Sequence, residues 1–273
     1  MIDEIKSSLS VNDIDYEATI QRFKVWTASM DANIVSRVEI GHFNHDNGHA
    51  EIVKSENGGR IRGVSAAMDT AVGDTLISVP FQTLLSIAHI EGDSILQPII
   101  GKEAANEKGF GDSSDDEFLL LIIYLLYHRS LGAASPLASY IDILLSAPVN
   151  DMPFMWTEEQ LNLIYPDPKN YVRLLTLDIL DSIRAMYDDI IPMLVEKHPS
   201  IFAPKKFDHQ NNLKSDIEWS FSFDHFKWGF AILNSRHWHL PCADLDEFCF
   251  SIWSSGIFSW LFQRPWFTSG TLN

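Results

Sequence analysis

The side chains that could do chemistry fall into a few clusters along the 273-residue chain. His42, His45 and His49 in HFNHDNGH are types that bind transition metals. So are His237, His239 and Cys242, with Asp244 nearby. A metal site needs three or four such ligands held at fixed spacing by rigid elements. The first cluster lies in a turn-like stretch without helical spacing, so it reads as a solvated loop, and the second has no more order; no metal is expected. Asp115, Asp116 and Glu117 read as a helix N-terminus, where negative charge is favoured. Asp178, Asp181, Asp188 and Asp189 read as a solvated helix face. Gly-x-Ser-x-Gly, phosphate-loop and dinucleotide fingerprints do not occur. The residue pattern by itself leaves the catalytic residues unassigned.

Charge and composition narrow the classes of partner. The net charge is −17, and the only basic cluster is the pair Lys205-Lys206. Such a surface repels phosphate backbones, so nucleic-acid binding is not expected. It attracts a basic protein segment, although acidity also serves solubility alone. With 46% apolar and 21% charged residues the chain has the composition of a folded globular protein. Cys242 and Cys249 make neither a disulfide framework nor a zinc site, and they fit a reducing compartment. MIDEIKSSLS lacks the features of a secretory signal and carries acids that transit peptides avoid. The expected compartment is cytoplasmic or nuclear; a plastid would require a different N-terminus. The charge-free stretch Phe248 to Gln263 is shorter than the roughly 20 residues of a spanning helix. Membrane association through it is the weaker expectation.

The elements that must position these groups change character along the chain. Residues 13–31 read as an amphipathic helix with Tyr16, Ile20, Phe23, Trp26 and Met30 on one face. From 36 to 87 the runs Val38–Phe43, Glu51–Lys54, Gly63–Ala67, Thr75–Val79 and Leu84–Ile87 read as short strands. Asn57-Gly58-Gly59 and Gly73-Asp74 read as turns. Beyond residue 112 the pattern is helical. Ser114 and Glu117 have capping-box spacing ahead of FLLLIIYLLY, which is apolar all round and therefore expected to be buried. Thr157 and Gln160 repeat that spacing. A third helix is expected from about 169, with Val172, Leu175, Ile179, Ile183, Met186 and Ile190 as its core stripe and Pro192 bending or ending it. A fourth begins near Ser222 and carries Phe226, Phe230 and Leu233.

Four stretches, in order, resemble blocks of the SET-domain protein methyltransferases of the Rubisco large-subunit methyltransferase type. They are GGRIRGVSAAMDTAVGDTLISVPFQTLLSI (58–87), FLLLIIYLLYHRSLGAASPLASYIDILLSAP (118–148), MWTEEQLNLI (155–164) and FKWGFAILNSRHW (226–238). The resemblance implies an α+β fold: a small β-rich partial SET module with a large helical insertion. It divides the chain into a helical lead-in (1–35), an N-terminal SET β segment (36–100), the helical insertion (101–240) and a divergent aromatic tail (241–273).

The resemblance further implies transfer of a methyl group from S-adenosylmethionine to a lysine, or in some members a histidine, of a protein substrate with a basic segment. Such a reaction needs nucleophile and methyl held in line about 3 Å apart, in a site that excludes water. Carried over residue by residue, the cofactor contacts are Gly63, Val64, Ser65 and Ala66; Ile95, Leu96 and Gln97; and Arg236. Ser65 stands where some members have arginine, which removes one cation from that strand. After Trp238 the family's Asp-x-x-Asn-His segment is absent, and no tyrosine follows Tyr187. The expectation is therefore that the catalytic end and the C-terminal SET strands are missing or replaced. Two other readings stand beside the enzyme: a non-catalytic protein-binding module, and a membrane-associated scaffold using the aromatic tail.

Overall fold

A computed structural model describes residues 16–30, 37–44, 51–52, 61–76, 78, 84–107, 114–145, 149, 152–204 and 219–236. The chain forms two compact units: Met1–Leu85 with Tyr127–Pro168, and Ser86–Leu126 with Lys169–Asn273.

The first unit opens with helix α1 (Tyr16–Ser29). Three aromatic rings join it to a helix farther along, α6 (Ala138–Leu145): Phe23, Trp26 and Tyr140 stack with centroids 5.7 to 6.4 Å apart. The Trp26 indole N–H donates to the Pro136 carbonyl at 3.0 Å, and Arg22 pairs with Asp142 at 3.5 Å. The large rings thus bury area while the indole N–H keeps a partner. The unit's strands are β1 (Val38–Asn44), β2 (Glu51–Ile52) and β3 (Ile61–Ala66), antiparallel in the order β2-β1-β3. The β1–β3 register sets Val38 opposite Ala66, Gly41 opposite Gly63 and Phe43 opposite Ile61. Past β3 the chain turns at Gly73, whose φ of 94° is left-handed and suits glycine. Asp74 closes that turn by accepting from the Ala71 N–H at 2.9 Å and pairing with Arg37.

The second unit begins with α2 (Ile87–Glu91), α3 (Gln97–Ile100) and α4 (Lys102–Glu107), which pack in sequence. Gly101 links the last two, and a Cβ there would collide with the Gln97 carbonyl oxygen. Helix α5 (Ser114–Leu131) follows, with the unit boundary inside it after Leu126. Ser114 is its first residue rather than the residue before it. Ile122, Ile123, Leu125 and Leu126 have no exposed surface. By length and composition the segment Asp116–Ala134 could cross a membrane, but 61% of its most apolar window is buried inside the protein. That is the burial expected of a helix apolar all round.

In the first unit, α6 (Ala138–Leu145) and α7 (Glu158–Ile164) complete the described helices. At α7 the capping box forms as expected. The Thr157 hydroxyl accepts from the Gln160 N–H at 3.3 Å, and the Gln160 side chain accepts from the Thr157 N–H at 2.9 Å. The Glu159 carboxyl lies below the ordinary carboxylate range because its backbone N–H, and then the Thr157 hydroxyl, hydrogen-bond it. A depressed carboxyl favours folding above its unfolded value, and that contribution is lost as pH falls through the folded one. Thr157→Ala is expected to cost about 1 kcal/mol in a urea titration at pH 7. It should also move the Glu159 carboxyl back towards its usual value, followed by side-chain NMR.

The second unit resumes with α8 (Tyr171–Lys197), α9 (Pro199–Phe202) and α10 (Phe223–Arg236). Asn170 caps α8 by accepting from the Val172 and Arg173 N–H groups. Pro192 does not end α8, which continues five residues beyond it to Lys197. Ile183, Ile190, Ile191 and Leu194 carry its buried face. On α10, Phe226 and Phe230 are buried and Phe230 meets Phe118 edge-on at 5.3 Å. Gly229 lets α10 approach α5 closely: a Cβ there would sit 3.1 Å from Ile122 Cγ2.

These elements overturn the α+β expectation, because the described residues are mostly helical. The partial SET β module does not form as read. Of the five expected strands, β1 and β3 form, and β2 is described over Glu51–Ile52, with Val53 and Lys54 outside the described residues. Thr75 and Leu76 are exposed and irregular, and Ile87 begins a helix after Ser86. A strand needs at least one paired neighbour, and the helix that starts after Ser86 takes Ile87 out of the last run. Of the fourth run, Ser78 makes a single bridge, and Ile77 and Val79 lie outside the described residues.

Candidate functional site

Positions Gly63, Val64, Ser65 and Ala66 lie on β3, in the first unit. They face Gly41, Ile40, Glu39 and Val38 respectively across the β1 ladder. Two glycines directly opposite one another leave a stretch of sheet without side chains. That is the kind of place where a ligand or another backbone can approach the main chain closely.

Ile95, Leu96 and Gln97 lie in the second unit, where the chain enters α3. Asp93 organises them: its Oδ1 accepts from the Ile95 and Leu96 N–H groups, both at 2.8 Å, and its carbonyl accepts from Gln97 N–H at 2.9 Å. All three main-chain donors are therefore engaged. Leu96 is wholly buried and belongs to the core, whereas Ile95 is exposed.

Arg236 is the last residue of α10, also in the second unit, where a cation complements the helix C-terminus. Its guanidinium donates to the Ser235 hydroxyl, which in turn donates to the Ala231 carbonyl at 2.7 Å. The three expected sets are thus divided, the strand set in one unit and the other two in the second. Within the second unit, α3 packs against α2 and α4, and α10 packs against α8.

The fit to S-adenosylmethionine is uneven across these residues. In the first unit, Gly41 of β1 opposite Gly63 of β3 would leave room for a ligand beside the main chain; in the second, Arg236 would offer a cation to a carboxylate. Ile95 to Gln97 offer no spare N–H, and Asp93 adds a carboxylate that repels another anion there. Among the described residues no group of three or more His, Cys, Asp or Glu could hold a metal ion. His42 lies on β1 opposite Arg62. His45, His49, His237, His239, Cys242 and Asp244 lie outside the described residues, as does the aromatic tail from 241.

One feature escaped the sequence reading. Tyr171 is 64% exposed and Leu174 51%, and Val172 and Leu177 are exposed beside them. The apolar stripe of the sequence runs through Val172 and Leu175, yet the buried face of α8 begins at Thr176. The signal that could have found it is a second apolar stripe, Tyr171 and Leu174, running into Asp178 and Asp181 at the same helical spacing.

No family model, curated protein or solved structure matches this chain.

Proposed function

We propose that this chain serves S-adenosylmethionine-dependent methylation of a lysine or histidine nitrogen on a protein partner. The observation that carries the reading is the order of the four sequence blocks. The second spans α5 and α6, the third covers α7 and the fourth covers α10, so three of the four coincide with helices in the order the resemblance implies. The first holds β3 with its paired glycine. When bound, the cofactor supplies a methyl carbon on a sulfonium. The chain's own part is to seat it. Arg236, in the second unit, would pair with its carboxylate through a charge-assisted bond. An acidic surface would draw in a basic acceptor segment.

The test is calorimetric titration of the 273-residue chain with S-adenosylmethionine. Binding is expected, weakened about tenfold or more by Arg236→Ala, the loss of about 1.4 kcal/mol that one charged hydrogen bond can supply. Ile95→Ala is expected to change it far less. A chain that folds but shows no binding overturns the reading.

A further inference from the structure

We propose that the first half of α8 is a docking surface for a basic amphipathic helical segment of a partner protein. The buried face of α8 runs through Thr176, Ile183 and Ile190. At 100° per residue, Tyr171, Leu174, Asp178, Asp181, Ala185 and Asp188 fall on the opposite side, and every one of them is exposed. A solvent-facing stripe is normally polar throughout. This one starts with two large apolar side chains, flanked by Leu177, and then carries three aspartates. Exposed apolar residues bordered by polar ones mark interaction surfaces.

The charge identifies the occupant. Arg173 is half-buried, and Arg184 projects off the stripe to lie 3.3 Å over the Phe223 ring. The three aspartates therefore set the sign of the surface. A second copy of this chain laid along it would bring aspartates against aspartates on a protein already at −17. A segment with an apolar anchor followed by Lys or Arg matches both halves. The stripe spans about 26 Å at 1.5 Å per residue, the length of roughly 18 helical residues. The proposal does not rest on cofactor binding, which a separate titration measures.

The experiment uses the full chain and a fluorescein-labelled peptide of about 18 residues, with leucines on one face and lysines beside them. A glutamate-for-lysine version serves as its counterpart. Fluorescence anisotropy is expected to show binding of the lysine peptide only, with affinity falling steeply as salt rises. Asp178→Lys/Asp181→Lys and, separately, Leu174→Ser are each expected to weaken it about tenfold. The charge-matched pair Glu91→Lys/Glu107→Lys, exposed outside α8 in the same unit, should change it less than about twofold. Tyr171→Ser provides a second apolar test should Leu174→Ser lower the melting temperature. Equal loss with both charge pairs would reduce the binding to diffuse attraction and overturn the proposal. So would no effect of either apolar variant, or a dimer in sedimentation that Leu174→Ser returns to monomer.

Discussion

Leu125→Asp is expected to abolish cooperative folding of the chain in detergent-free buffer at pH 7. Leu125 is wholly buried in α5, with Ile122, Ile123 and Leu126 beside it equally so. An aspartate there places a carboxylate among aliphatic side chains. The cost is several kcal/mol whether the group stays charged or takes up a proton to become neutral. Native domains are stable by only about 5–15 kcal/mol, and the same substitution also removes the packing of a leucine. Leu125→Met keeps volume and polarity and should cost less than about 1.5 kcal/mol. The check is thermal unfolding followed by circular dichroism. Wild type and Leu125→Met should give sigmoidal transitions, and Leu125→Asp none. A Leu125→Asp chain that melts like the wild type would mean α5 is not the core helix that its burial indicates.

The helices of this chain were legible because each carries its information locally. Thr157 and Gln160 announce α7 three residues apart, and the reciprocal bonds form. Phe226 and Phe230 announce α10 at a four-residue step, and both are buried. The run after Ser114 is apolar on every side, and that alone distinguishes an interior helix from a surface one. Pro192 does not end α8, because a proline sacrifices one backbone bond and the well-packed turn around Ile190, Ile191 and Leu194 outweighs that loss. Strands carry less local information. Thr75–Val79 and Leu84–Ile87 alternate as strands do, yet a strand is stable only if a neighbour accepts its hydrogen bonds, and a one-dimensional pattern cannot say whether one exists.

The candidate site was legible to a lesser degree, for a related reason. That Gly63 lies in a strand could be read from the sequence; that its ladder partner is Gly41 could not, because register depends on the pairing of distant residues. Leu96 is the converse case. The resemblance implies a cofactor contact there, while Asp93 folds the local chain so that the leucine enters the core and the neighbouring N–H groups are used. The exposed stripe of α8 was hidden because Val172, Leu174, Leu175 and Leu177 fit more than one helical face. Only the position of the buried face, set by contacts with α9 and α10, decides which of them meet solvent.

Phe226→Ala is expected to destabilise the chain by about 3–5 kcal/mol, the range for deleting a buried phenyl ring. Phe226 has no exposed surface and meets Tyr187 edge-on at 5.5 Å, joining α10 to α8. Tyr187 also meets Phe223 edge-on at 5.4 Å, and its hydroxyl donates to the Phe221 carbonyl at 3.1 Å. Burial pushes the Tyr187 phenol above its ordinary value, Arg184 opposing the shift in part. A raised phenol favours folding below the ordinary tyrosine value, and that contribution is lost as pH rises through the folded one. Tyr187→Phe keeps the ring and loses one hydrogen bond, so it should cost about 1 kcal/mol at pH 7. Its stability should also fall less than that of the wild type as pH rises through the tyrosine range. Phe226→Ala combined with Tyr187→Ala should cost less than the sum of the singles by about 0.5–1.5 kcal/mol, the coupling of an edge-on aromatic pair. Urea titrations of the wild type and the four variants measure all of this. Strict additivity would mean that the two rings do not hold α8 and α10 together, and that Arg236 at the end of α10 is positioned by other contacts.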